Sequence, residues 1–142
     1  MNKTVITSSA TETQKVGKEF GQQLLPGDCV LLYGNLGAGK TTFVQGMAQG
    51  LEITKRIISP TFVIVRSYEI KKGMFYHVDL YRIETKHDAE GTGLFDILKN
   101  EKSIVAIEWP EKLDGLLPFK RWEVVCNYVD EQHRSISITK RD

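Results

Sequence analysis

The stretch CVLLYGNLGAGKTTFVQGMAQGL, residues 29–51, restricts this chain more than any other part of it. The apolar run 29–34 reads as a strand buried on both faces of a parallel sheet, since no side of it carries a polar alternation. A helical pattern follows from about Lys40 to Leu51. Between the two, Gly34, Gly39, Lys40 and Thr41 satisfy G-x-x-x-x-G-K-[ST]. In such a loop the glycines let the backbone curl. The N–H groups of Asn35, Leu36, Gly37, Ala38 and Gly39 then face phosphate oxygens, and the helix behind adds its partial positive charge. Lys40 is expected to reach the β- and γ-phosphates, and the Thr41 hydroxyl to ligate Mg²⁺. A chain of this length meets the pattern by chance roughly once in two hundred cases. Here it also lies between a strand and a helix, which is the context the motif needs.

The remaining segments extend this nucleus. KTVIT (3–7) reads as an opening strand, and residues 11–25 as a helix with Val16, Phe20 and Leu24 on one face, stopped by PGD. FVIVRSYEI and MFYHVDLYR flank KKG as a β-hairpin, and residues 84–100 have helical potential. SIVAIEW (103–109) is a second buried strand, and RWEVVCNYV and RSISITK close the chain as an antiparallel pair. The expected fold is α/β: a single three-layer P-loop NTPase domain over residues 1–142. Its mixed sheet has parallel core strands and antiparallel additions.

Composition narrows the function. The 41% hydrophobic and 26% charged content belongs to an ordinary globular chain, with no apolar run long enough to span a bilayer and no secretory h-region at the start. A cytoplasmic location without membrane contact is expected. Net charge is +1, and the densest basic spots (Lys55-Arg56, Lys71-Lys72, Lys140-Arg141) are only pairs. A protein gripping nucleic acid by itself shows a stronger basic stripe, so any RNA is expected to be held mainly by a partner. Cys29 and Cys126 read as reduced, packed hydrophobes. His77, His87 and His133 are too scattered for a zinc pattern.

A phosphate loop needs a carboxylate at the end of a neighbouring strand, to hold Mg²⁺ or orient water. Glu108, straight after Ile104–Ile107, is the preferred acid, and Asp79 competes from FYHVDLYR. Thr61, in the ISPTF segment, occupies the place of a nucleotide-sensing loop. TKHD (85–88) and DAEG (88–91) imitate guanine-nucleotide motifs, but both depend on Asp88, and one carboxylate cannot serve both ends of a nucleotide. Adenine is therefore expected.

GNLGAGKTT, SPTF, YHVDLYR and IEWPE, in this order and spacing, closely resemble the TsaE (YjeE) family of small bacterial P-loop ATPases, over roughly residues 5–140. The resemblance implies ATP and Mg²⁺ as ligands and a subunit working with TsaD and TsaB to make threonylcarbamoyladenosine beside the tRNA anticodon. The transfer chemistry would belong to TsaD, and the tRNA would be met only through the complex. By position, the resemblance gives Lys40 to phosphate, Thr41 and Glu108 to Mg²⁺, Asp79 to the γ-phosphate region and Thr61 to switching. It places Thr42 at the α-phosphate and Trp109 beside the site, with Thr11 and Arg134 as looser nucleotide contacts. The chain departs from the family pattern at Asn35, where Asp is usual, at Gln45, where Arg is frequent, and in KHDAEGTGLF.

Two other functions fit the same loop. A small-molecule kinase needs an arginine-bearing lid, and arginines 56, 66, 82, 121, 134 and 141 form no cluster in sequence. A nucleotide-switched binding module would bind partners without hydrolysis.

Overall fold

A computed structural model describes residues 2–35, 37–57, 64–113 and 115–142. The elements in chain order are β1 (Asn2–Thr7), α1 (Ala10–Gln23), β2 (Cys29–Tyr33), α2 (Lys40–Gly50), β3 (Val65–Ile70) and β4 (Gly73–Asp79). They continue with α3 (Lys86–Glu90), α4 (Leu94–Lys99), β5 (Ser103–Glu108), a 3-10 turn (Pro110–Leu113), β6 (Arg121–Tyr128) and β7 (Arg134–Arg141). The strands form one sheet in the order β1-β7-β6-β2-β5-β4-β3. Strands β6, β2, β5 and β4 run parallel, while β1, β7 and β3 are antiparallel additions. The expected fold class is therefore present. All of β5 is buried, and so is β2 up to Tyr33, because helices cover both faces of this middle region.

One face packs on α1 and α2, through Phe20, Leu24, Phe43 and Met47 against Val30, Leu32, Ile104, Ala106 and Val124. The other face packs on the shorter helices, through Ala89, Leu94 and Leu113 against Leu31, Val78, Val105 and Ile107. That shorter layer is the 84–100 segment, split in two where Gly93 turns left-handed (φ 80°). Thr85 and Asp88 form a capping box on α3: the Asp88 N–H donates to Thr85 Oγ1, and the Thr85 N–H donates to the Asp88 carboxylate. The TKHD tetrapeptide is thus a helix start. The outer face of β6, β7 and β1 is instead mostly polar, with Glu123 accepting from both Arg121 and Arg141 and a Thr4–Ser137 hydroxyl pair, beside an exposed Ile6.

Helices α1 and α2 run side by side in the same direction, so both N-termini open at the same end of the sheet. Their closeness comes from four glycines. A Cβ at Gly17 or Gly21 would run into the backbone carbonyl of Phe43 or Met47, and one at Gly46 or Gly50 into that of Gln14 or Lys18. Spaced four apart in each helix, these glycines form a facing stripe without side chains. A Gln14–Gln45 side-chain hydrogen bond of 3.1 Å joins the helices toward the site end.

Cys29 and Cys126 are buried and free, with their thiols pushed up to about 12 by desolvation. No described helix is long and apolar enough to cross a membrane.

Candidate functional site

At the carboxyl ends of the parallel strands lies a cavity of about 680 Å³, within the usual size of a small-ligand site. Its floor is the phosphate loop. Gly34, Gly37 and Gly39 take φ values of 144°, 80° and 101°, a backbone that side chains resist. The Gly39 N-cap opens α2, so the loop N–H groups and the helix end face the same space. The Asn35 carbonyl accepts from Ala38 N–H at 3.1 Å and closes the turn. Asn35 is exposed and Ala38 buried beneath the loop, and neither side chain lines the cavity, whereas Gly37, Gly39, Lys40, Thr41 and Thr42 do. Leu36 and Thr61 lie outside the described residues.

Lys40 is 5% exposed, and its Nζ has no hydrogen-bond partner among the described residues. It sits 3.9 Å from the centroid of the Trp109 ring. Burial pulls its ammonium below the ordinary lysine range, while Glu108, Glu111 and Asp79 work the other way. A buried donor of this kind costs free energy until an acceptor arrives. Phosphate oxygens are such acceptors.

The two acids foreseen from sequence meet here. Parallel register places Asp79 beside Glu108, at the ends of β4 and β5 and on the α2 face of the sheet. Both are buried and both line the cavity. Burial holds the Asp79 carboxyl above its ordinary range; the Tyr81 N–H, donating to Oδ1 at 2.9 Å, opposes that shift, and the neighbouring Glu108 charge reinforces it. Glu108 Oε2 pairs with His77 Nε2 at 2.6 Å.

Trp109 follows Glu108 with a left-handed φ of 60°, a conformation costing about 1–2 kcal/mol for a non-glycine residue. That turn takes the chain from β5 into the 3-10 segment and lays the indole against Tyr81, at 5.2 Å between ring centroids. Both rings line the cavity.

The opposite wall comes from the two ends of the chain. Arg134, at the start of β7, donates from Nε to the Gly37 carbonyl at 3.2 Å and lies 4.7 Å from the Tyr128 ring centroid. It joins Glu131 and Gln132 on the wall. On the α1 side, Ser8, Ser9, Ala10 and Thr13 line the cavity in place of Thr11, which is exposed. Helix geometry accounts for this placement: Ala10 and Thr13 share a face, and Thr11 is turned about 100° away from Ala10. Ser9 caps α1 by accepting from Glu12 N–H, and the Glu12 carboxylate accepts from the Ser8 N–H and hydroxyl. The S-x-x-E spacing carried that signal in the sequence. Thr13 is held by a 2.7 Å bond to Thr7 Oγ1. Tyr81, Glu131 and Gln132 had no comparable sequence signal.

These donors suit a hard cation bound together with phosphate. Thr41, Asp79 and Glu108 offer only oxygen, and Mg²⁺ is commonly held by one or two carboxylates plus substrate phosphates. Among the described residues, no group of three His, Cys, Asp or Glu side chains is placed to hold a metal alone.

Comparison with known proteins agrees with this geometry. The family model described as "Threonylcarbamoyl adenosine biosynthesis protein TsaE" matches residues 7–136. A Bacillus subtilis (strain 168) protein called "tRNA threonylcarbamoyladenosine biosynthesis protein TsaE" is 35% identical over 133 residues, covering 94% of this chain and 82% of its own. A Haemophilus influenzae protein of the same name is 40% identical over 122 residues, covering 82% and 77%. The crystal structure of Bacillus subtilis YdiB superposes with a TM-score of 0.80 at 28% identity, covering 100% of this chain and 87% of that one.

Proposed function

The chain belongs to the TsaE family, and on that premise we propose that it is a cytoplasmic, single-domain, Mg²⁺-dependent ATPase. Its hydrolysis supports threonylcarbamoyl transfer to tRNA adenosine by TsaD and TsaB. The observation that carries the reading is the unpartnered, buried Lys40 Nζ on the floor of a nucleotide-sized cavity that also holds Thr41, Asp79 and Glu108. The pathway part rests on the names that the relatives carry.

Each residue has a chemical task in this reading. Loop N–H groups and Lys40 take the phosphate charge, supplying donors already oriented toward the transition state. Mg²⁺, when bound, offsets charge on the transferring phosphoryl group, and Thr41 and Glu108 would hold it. Asp79, with its carboxyl raised by burial, would orient the attacking water. Trp109 and Tyr81 would keep bulk water from the phosphate end, while Ser9, Ala10, Thr13 and Arg134 would meet the rest of the nucleotide. No arginine lines the cavity on the Asp79 and Glu108 side among the described residues, so turnover by the chain alone should be slow.

The test is ATP hydrolysis by the purified chain, alone and with a TsaD–TsaB pair, with Lys40→Ala as the blank. Stimulation by the pair that disappears in Lys40→Ala is the expected result. Rapid hydrolysis indifferent to the pair would sink the assignment and direct the search to phosphoryl acceptors. Glu108→Ala should still bind ATP and fail to turn it over.

A further inference from the structure

We infer that His77 is a positioning residue for Glu108, a role that rests on the ATPase reading for Glu108 itself. His77 is fully buried and is not among the residues lining the cavity, so any effect it has on the nucleotide passes through another side chain. Among the described residues only Glu108 is paired with it: Nε2 to Oε2, 2.6 Å. That distance is at the short end for a nitrogen–oxygen bond, as expected when the acceptor is a carboxylate.

Strand register explains why this pair forms. His77 stands opposite Ala106 and Asp79 opposite Glu108, so His77 lies two residues behind Asp79 on the same face. The small Ala106 side chain leaves room on β5 for the Glu108 side chain to lean back over it to the imidazole. One oxygen of Glu108 is thereby fixed, although its carboxylate stays close enough to Asp79 for the two charges to interact. Glu108 makes no hydrogen bond to Lys40 Nζ, which stays free for phosphate. With Nε2–H donating to Oε2, the oxygen that His77 leaves uncommitted is Oε1. A ligand carboxylate fixed by a second residue binds metal in one geometry; a free one samples several rotamers. His77 Nδ1 has no hydrogen-bond partner among the described residues, so the ring directs its one strong interaction to Glu108.

Three measurements on the full chain decide this. The first needs no nucleotide: in an ¹⁵N-labelled protein, the His77 Nε2–H proton should resonate downfield, exchange slowly, and be lost in Glu108→Ala. In the second, affinity for a fluorescent ATP analogue is measured with and without Mg²⁺. His77→Leu should reduce the Mg²⁺-dependent gain in affinity by roughly 10- to 100-fold, the usual range for a residue that orients a metal ligand. Mg²⁺-free affinity should stay unchanged, and His77→Gln, whose amide reaches a similar point, should restore the gain. Third, kcat for ATP should fall in His77→Leu with KM little changed, and in a Glu108→Ala background, read by nucleotide affinity with and without Mg²⁺, His77→Leu should remove nothing further. A loss of Mg²⁺-free affinity equal to the Mg²⁺-bound loss, additivity with Glu108→Ala, or no Mg²⁺-dependent gain in the wild type would overturn the proposal. A wild type that binds Mg²⁺·ATP without hydrolysing it would overturn the ATPase reading, while the resonance and the affinity ratio would still judge His77.

Discussion

Replacing Gly46 by Ala should destabilise this protein, although the same change at an ordinary helical position stabilises one. Gly46 is in the middle of α2, where exchange for Ala gains about 1 kcal/mol of helix propensity. Against that, the new methyl would be driven into the Gln14 carbonyl and its adjoining backbone atoms, none of which can rotate away. Helices α1 and α2 would have to part by about 1 Å, and a gap of that size forfeits up to half of each contact's dispersion energy. Overpacking costs about 1–3 kcal/mol, and a clash with backbone, which cannot rotate away, belongs to the upper part of that range, about 2–3 kcal/mol. The cost exceeds the gain, leaving a net loss of about 1–2 kcal/mol, or roughly 3–8 °C in Tm for a chain this size. Because the two helices carry Lys40 and the Ser9–Thr13 wall at their shared end, ATP affinity should fall as well. Thermal and urea unfolding, with a nucleotide titration, would measure both. Gly91→Ala is the control: its φ is −66°, its Cβ would meet nothing closer than 3.5 Å, and it should be neutral or slightly stabilising. A Gly46→Ala protein as stable as the wild type would refute the claim that backbone contact sets the helix spacing.

Two further outcomes follow from the buried charges. Lys40→Met should melt at or above the wild type without nucleotide, since it removes an ammonium whose protonation burial disfavours; with saturating ATP the order should reverse, and differential scanning fluorimetry would show both. Asp79 has its folded pKa above the unfolded value of 3.8, so the folded state holds its proton longer and stability is lost as pH rises from 3.8 through the raised value. Asp79→Asn, which keeps an acceptor for the Tyr81 N–H, should therefore gain stability at neutral pH and lose that advantage below about pH 4, as read from urea midpoints.

How far the sequence foretold these features depended on whether their causes were local. The β2–loop–α2 unit was legible because its glycines, lysine and buried strand are contiguous. Glu108 was legible because a carboxylate ending an all-apolar strand is costly to bury unless a ligand or a partner meets it there. The pairing of His77 with Glu108 was not, since it depends on which strands become neighbours and in what register. The wall residues Glu131, Gln132 and Tyr81 were missed for the same reason. Thr11, expected at the nucleotide, stands one helical step from Ala10, which lines the cavity. The glycine stripe could have been found: G-x-x-x-G at Gly17/Gly21 and again at Gly46/Gly50 was visible, but only contact between the two helices gives it meaning.

The pairing of β1 with β7 bears on the order in which the protein becomes competent. The phosphate loop belongs to the first third of the chain, yet Arg134, which braces its Gly37 carbonyl, stands on the last strand. Closing such a long loop costs entropy before any contact repays it, and folds built on distant pairings assemble slowly. A chain still emerging from the ribosome would thus carry its nucleotide motif exposed and unbraced. Only when β7 docks between β6 and β1 does the wall close, so tight nucleotide binding should report that β7 has taken its place in the sheet.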